Sequence, residues 1–227
     1  MSYINFDNVS KIYGSRWLAL QNVSFSINKG EFVFIIGPTG AGKTTLLSHI
    51  YFKELPSSGV VKVLGYSSDS INRREVPQLR RKIGVIFQDF KLLHDRNVLK
   101  NVSIALEVTG VSKNESEKRA RAVLTELGMG DKVNKMPNEL SGGEGQKVAI
   151  ARALVREPFI LLADEPTGNI DPESSEEILK ILKRVNDRGT TVIIATHNYG
   201  FLEKVVRKRV ISLQAGRIVR DEKFYIK

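Results

Sequence analysis

The 227-residue chain has no cysteine, which removes disulfide staples and thiolate metal sites and suits a reducing compartment such as the cytosol. Aromatic residues make up only 7% of it, and Trp17 is the single tryptophan. No apolar run approaches the ~18–20 residues that span a bilayer, so no membrane-spanning helix is expected. The N-terminus shows no charged-then-apolar segment of the secretory kind, so no leader is expected. Repeats, low-complexity tracts and long linkers are also missing. What remains is an ordinary globular composition, 41% hydrophobic and 26% charged, at a length that fits one large domain or a core with a subdomain.

The net charge is +10. Nucleic acid, an anionic membrane surface or solvated faces could each account for such a charge. Its short basic clusters are Arg73-Arg74, Arg80-Arg81-Lys82 and the group Lys204, Arg207, Lys208 and Arg209. None is interleaved with aromatics, which favours solvated faces near a membrane over a nucleic-acid partner.

The most telling stretch is Gly37-Pro38-Thr39-Gly40-Ala41-Gly42-Lys43-Thr44-Thr45, between the apolar run Phe32–Ile36 and the helical pattern Leu46–Ile50. Strand, glycine-rich loop and helix form the context in which G-x-x-x-x-G-K-[ST] cradles phosphate. The glycines let successive N–H groups point at phosphate oxygens, and the helix adds its positive N-terminal end. Lys43 is expected to reach the β- and γ-phosphates, and the Thr44 hydroxyl to bind Mg²⁺.

Period-two alternation at Ile4, Phe6 and Val9, at Val23, Phe25 and Ile27, and a run from Gly59 to Gly65 predict half-buried antiparallel strands. Ile83–Phe87, Phe159–Ala163 and Thr191–Ala195 are continuously apolar, as strands buried on both faces of a parallel sheet must be. Between them the period turns helical, with Val98, Val102, Ala105 and Leu106 on one face and Ala120, Val123, Leu124 and Leu127 on another before Gly128. Residues 90–155 therefore read as a helical subdomain inserted into an α/β core made of residues 1–89 and 156–227.

Asp164 and Glu165 end the buried run Phe159–Ala163. The carboxyl edge of a parallel sheet is where the phosphates lie, so both acids are expected beside them. Asp164 is expected to hold Mg²⁺ through water, and Glu165 to act as general base on the attacking water. Ser141, Gly142 and Gly143 open an apolar helix running through Ala149, Ile150, Ala153 and Leu154, which makes a second candidate anion site.

Taken together and in order, GPTGAGKTT (Gly37–Thr45), LSGGE (Leu140–Glu144) and ILLADEPTG (Ile160–Gly168) resemble the motifs of ATP-binding-cassette (ABC) ATPases over essentially the whole chain. The resemblance implies a P-loop NTPase (RecA-like) α/β core with an antiparallel β subdomain and an inserted helical subdomain. It implies that Tyr13 stacks on adenine and that Gln88 contacts Mg²⁺ and the attacking water. It further implies that Ser141, Gly142 and Gly143 close over the γ-phosphate, that Asp171 lies in a loop crossing to the other subunit, and that His197 contacts the γ-phosphate.

ATP with Mg²⁺ would then glue two copies into a nucleotide-dependent, head-to-tail homodimer. The groove near Gln88 to Asp95 would dock a separate integral membrane subunit, with Phe90 and Leu92 either anchoring it or merely packing the subdomain.

Within that family, Gly168-Asn169-Ile170-Asp171 is close to the Gly-Asn-Leu-Asp of the cell-division, lipoprotein-releasing and macrolide-exporter ATPases. Phe87–Val98, continuing to Asn101-Val102, most resembles the cell-division branch, the FtsE type. That branch implies an FtsX-like membrane subunit, a place on the cytoplasmic face of the membrane and activation of cell-wall hydrolases. An exporter or lipoprotein-release ATPase is the alternative, and a soluble cassette acting on nucleic acid a third. Two departures stand out. Gly145-Gln146-Lys147 replaces the family's usual Gln-Gln-Arg, and Asn198 follows His197 where aspartate is common. A helical glycine costs up to ~1 kcal/mol against alanine, and lysine lacks the guanidinium fork, so weaker or slower closure with catalysis retained is expected.

Overall fold

The computed structural model of the chain describes residues 2–14 and 17–224. In chain order its elements are β1 (Ser2–Tyr13), β2 (Trp17–Asn28), β3 (Phe32–Ile36), α1 (Lys43–Ile50), β4 (Ser58–Val63), β5 (Tyr66–Ser67), α2 (Val76–Arg81), β6 (Ile83–Ile86) and α3 (Val98–Glu107). They continue with α4 (Lys113–Glu126), α5 (Gly142–Leu154), β7 (Ile160–Asp164), α6 (Pro172–Asp187), β8 (Thr191–Thr196), α7 (Gly200–Lys204), β9 (Lys208–Gln214) and β10 (Arg217–Phe224).

The continuously apolar runs become the middle of a six-stranded sheet, ordered β10-β9-β3-β8-β7-β6. All its neighbours are parallel except the edge pair β9–β10. The lack of alternation has a direct cause: each strand feeds two cores. Phe32, Phe34 and Ile36 point into one and Val33 and Ile35 into the other, and the same split separates Leu161 and Ala163 from Ile160 and Leu162. The first core is roofed by α3 to α6. The second is closed by α1 and by a four-stranded antiparallel sheet, β2-β1-β4-β5. The alternating segments form this second sheet, with Ile4 opposite Ile27 and Phe6 opposite Phe25, whose rings stack at 4.6 Å.

One expectation is corrected. The basic cluster Lys204–Arg209 is not one solvated face. Arg209 is buried in β9, gripping both carboxylate oxygens of Asp221 on β10 at 2.7 Å and lying 3.1 Å from Glu31. A planar fork on a carboxylate of the adjacent strand is the arrangement that lets a buried guanidinium persist. Phe90 and Leu92 are half-buried, and Leu92 packs against the core.

The same region explains both signature-helix departures. A Cβ on Gly145 would come within 3.2 Å of the Phe90 ring, so the glycine lets that ring lie against α5. Phe90 and Lys91 both adopt left-handed backbone, φ 56° and 50°. Their carbonyls are clamped by Arg152 from α5, which donates to each at 2.6 Å. Lys147 pairs with Glu177 of α6 at 2.6 Å, so the lysine has found a carboxylate of its own.

Candidate functional site

Four neighbouring parallel strands, β3, β8, β7 and β6, release their chains at the same edge of the sheet. That edge receives the glycine-rich loop after β3, Asp164 and Glu165 at the end of β7, His197 after β8 and Gln88 after β6. Ligands bind open α/β sheets at this carboxyl edge. A cleft of about 320 Å³ opens there, lined by residues 39–45 with Gln88, Glu165, His197 and Trp17.

The loop is shaped for backbone donors. Gly42 caps α1 with φ 103°, and a Cβ there would meet the Ala19 carbonyl oxygen at 2.5 Å, so no other residue fits. No side chain caps α1 and no acid occupies its first turn. Its N-terminal N–H groups and positive dipole end are therefore presented to an anion. Lys43 is buried, donating to the carbonyls of Gly37 at 2.8 Å and Pro38 at 3.2 Å. Its Nζ also lies 3.5 Å from Glu165 Oε1.

Glu165 is held from several directions. His197 Nδ1 is 2.9 Å from its Oε1, the His197 backbone N–H donates to its Oε2 at 3.3 Å, and its own N–H donates to the Ala195 carbonyl at 2.8 Å. Its φ of 47° lies in the left-handed region, a strained conformation for a glutamate and one that collects at functional sites. Burial pushes the Asp164 carboxyl above its usual range, and the negative charge of Glu165 adds to this against the Thr44 hydroxyl and Lys43. Asp164 Oδ1 is buried with no hydrogen-bond partner among the described residues. A buried, unpartnered carboxylate oxygen beside a threonine hydroxyl suits a hard, oxygen-seeking cation. Among the described residues no group of three or more His, Asp or Glu side chains could hold a metal unaided.

The candidate residues divide into two groups. Thr39, Gly40, Ala41, Gly42, Lys43, Thr44, Thr45, Gln88, Glu165 and His197 line the cleft, while Gly37 and Pro38 hold Lys43 from behind and Asp164 lies next to Thr44. Ser141, Gly142 and Gly143 are not part of it. They open α5 against the Asn169–Asp171 loop and α6: a Cβ on Gly142 would meet the Asn169 carbonyl oxygen at 3.1 Å, and one on Gly143 would collide with Ser174. Asp171 caps α6, accepting the Ser174 N–H at 2.9 Å.

Tyr13 does not itself line the cleft but stacks on Trp17, which does. Sequence reasoning passed over Trp17 as an isolated aromatic. Its hairpin position directly opposite Tyr13 was the available signal.

A glycine-rich loop opening onto an uncapped helix, with an acidic pair at the end of a neighbouring parallel strand, defines a P-loop nucleoside triphosphatase. The sequence model of the ABC transporter family matches residues 20–168. The cell division ATP-binding protein FtsE of Streptococcus pneumoniae is 46% identical over 222 residues, 98% of this chain and 96% of the relative. Its namesake in Mycobacterium tuberculosis is 47% identical over 220 residues, 96% of this chain and 95% of the relative. A dimeric post-hydrolysis structure of the ATP-binding cassette MJ0796, bound to ADP and Pi, matches with a TM-score of 0.89 at 37% identity, covering 99% of this chain and 100% of that one. The chain belongs to the ABC transporter family, as an ATP-binding and ATP-hydrolysing cassette.

Proposed function

We propose that the chain is the FtsE-type ATPase subunit of a cell-division complex, in which two copies close around ATP and drive an FtsX-like integral membrane subunit. The observation that carries this reading is the separation of the two glycine-rich helix starts. The cleft at α1 contains none of Ser141, Gly142 or Gly143 at the start of α5, so a second copy has to supply that half. The dimeric relative bound to ADP and Pi supports the same arrangement. Residues 1–89 with 156–227, and residues 90–155, would act as two bodies whose relative position sets closure.

In the reaction, Glu165 accepts a proton from water, whose oxygen attacks the γ-phosphorus as the bond to ADP breaks. His197 holds the Glu165 carboxylate through Nδ1 and turns Nε2 to a γ-phosphate oxygen. Lys43 and the N–H groups of residues 40–45 hold the phosphates, and Gln88 positions the water. Thr44, Asp164 and Gln88 would hold Mg²⁺, which supplies charge neutralisation on the phosphates. Loss of the γ-phosphate removes charge that bridged the two copies, so they separate.

No helix among the described residues is long and apolar enough to cross a membrane, and the membrane subunit holds the chain at the cytoplasmic face. A groove of about 620 Å³ between core and helices fits its docking segment. Lys53, Arg80, Lys91, Arg152 and Arg156 line this groove with Phe87, and no carboxylate does, so a segment bearing acids is the complement.

The test is Glu165→Gln purified from native membranes in ATP and Mg²⁺. It should lose turnover about 100- to 10,000-fold, accumulate as a nucleotide-bound dimer with an integral membrane protein, and block division when expressed. A variant that stays monomeric or hydrolyses normally would sink the mechanism. Normal division with failed lipoprotein release would move the chain to the exporter branch.

A further inference from the structure

The cluster Arg80-Arg81-Lys82 has no aromatic beside it in sequence, but folding brings aromatics to it from other segments. Arg80 lies over the Tyr51 ring, 6.0 Å from its centre, and Lys82 over the Tyr66 ring at 5.2 Å. Phe159, 51% exposed, donates its backbone N–H to the Lys82 carbonyl at 3.0 Å and meets Tyr3 edge-on, with ring centroids 6.3 Å apart. A fourth cation arrives just past α5, where Arg156 donates to the Arg80 carbonyl at 3.0 Å and the Ile83 carbonyl at 3.3 Å. Burial and the charge of Arg81 push the Arg156 guanidinium below its ordinary value. Its Nε is buried with no hydrogen-bond partner among the described residues. None of Arg80, Arg81, Lys82 and Arg156 pairs with a carboxylate among the described residues, whereas Lys147, Arg188 and Arg209 each have one. Like charges gathered without a counter-charge repel one another and draw an anionic surface.

We infer that this patch rests on an anionic lipid surface, with Arg81 and Lys82 meeting phosphate headgroups and Phe159 entering the interfacial layer. Arg80 and Arg156 also line the groove assigned above to the docking segment of the membrane subunit, so the patch continues the rim of that groove. Its orientation toward the bilayer rests on that reading. Each basic side chain near an anionic leaflet strengthens partitioning about fivefold, and aromatic rings favour the headgroup level. Nucleic acid is the poorer fit. Bases stack on free ring faces, and Arg80 and Lys82 already cover a face of Tyr51 and of Tyr66.

The purified full chain, without any membrane subunit, should sediment with vesicles of mixed phosphatidylglycerol and phosphatidylcholine but not with phosphatidylcholine alone, and added salt should weaken the binding steeply. Arg81→Gln combined with Lys82→Gln should lower partitioning about 25-fold. Phe159→Ser should lower it by less, and ATP turnover should stay at the wild-type level in both variants. Lys180→Gln combined with Lys183→Gln removes the same charge from the exposed face of α6 and should change partitioning less than about twofold. No sedimentation with the anionic vesicles, equal sedimentation with neutral ones, or an equal loss in the α6 variant would overturn the inference. So would binding to polyuridylate RNA that is tighter than to vesicles at the same salt and is lost with Arg81 and Lys82. Any of these results would leave the ATPase reading standing, because turnover and nucleotide-dependent dimerisation test it separately.

Discussion

Two helices in this molecule start with glycine-rich sequence of the kind that predicts an anion site, yet they are built in opposite ways. At α1 the cap is Gly42, with no side-chain acceptor and no acid in the first turn. At α5 the cap is Ser141, whose hydroxyl accepts the Glu144 N–H while the Glu144 carboxylate accepts the Ser141 N–H, a complete capping box. Lys132 then pairs with Glu144. One helix start is left unsatisfied for a ligand, and the other is largely satisfied by its own chain. Affinity for triphosphate should therefore reside at α1 within a single copy, and α5 should matter when two copies meet.

The strongest way to break that contrast is Lys43→Ala. The buried ammonium supplies the positive charge at α1, and its present partners are two carbonyls and Glu165. Hydrogen bonds to charged groups are each worth about 1.5–3 kcal/mol, so ATP affinity should fall at least ~100-fold, read by calorimetry on the single copy. Retention of wild-type affinity would mean that the loop is not the phosphate cradle.

Ser141→Ala probes the other side. Loss of a serine cap costs about 1 kcal/mol of stability, visible in denaturant unfolding. ATP binding to the single copy should stay unchanged, while ATP-induced dimerisation and turnover should drop. If this variant instead weakened single-copy ATP binding as much as Lys43→Ala does, the two helix starts would share one pocket and the contrast would be void.

The phosphate loop, the acidic pair and the buried strands were legible because their signals are local: glycine torsions, a carboxylate at a strand end and an unbroken apolar run each specify structure within a few residues. The burial of Arg209 was not, since it depends on Asp221 twelve residues on and on Glu31 in a distant strand. Which of the stacked pair Tyr13 and Trp17 borders the cleft depends on a hairpin register that neither residue type dictates. Gly145 looked like a defect in helix propensity. Only the packing of Phe90 against it supplies a reason, and that contact joins segments 55 residues apart in sequence (145 − 90).

Glu144→Gln gives the smallest effect and the sharpest reading of the comparison. Pairing with Lys132, joined by the Ser141 N–H, holds the Glu144 carboxyl below its ordinary value of 4.5 against the opposing push of burial. A depressed carboxylate contributes stability that is fully present above its unfolded value and is lost as pH falls through the folded one. Glutamine keeps an acceptor for the cap but not the charge, so at neutral pH the variant should be less stable by only a few tenths of a kcal/mol, as suits a partly exposed pair. That gap should close as the medium is acidified below the ordinary carboxylate range. The same substitution should leave ATP affinity at α1 untouched. A gap that persists unchanged in acid would show that the Glu144 charge plays no part in satisfying α5. The distinction between a helix start kept open for a ligand and one closed on itself would then rest on Ser141 alone.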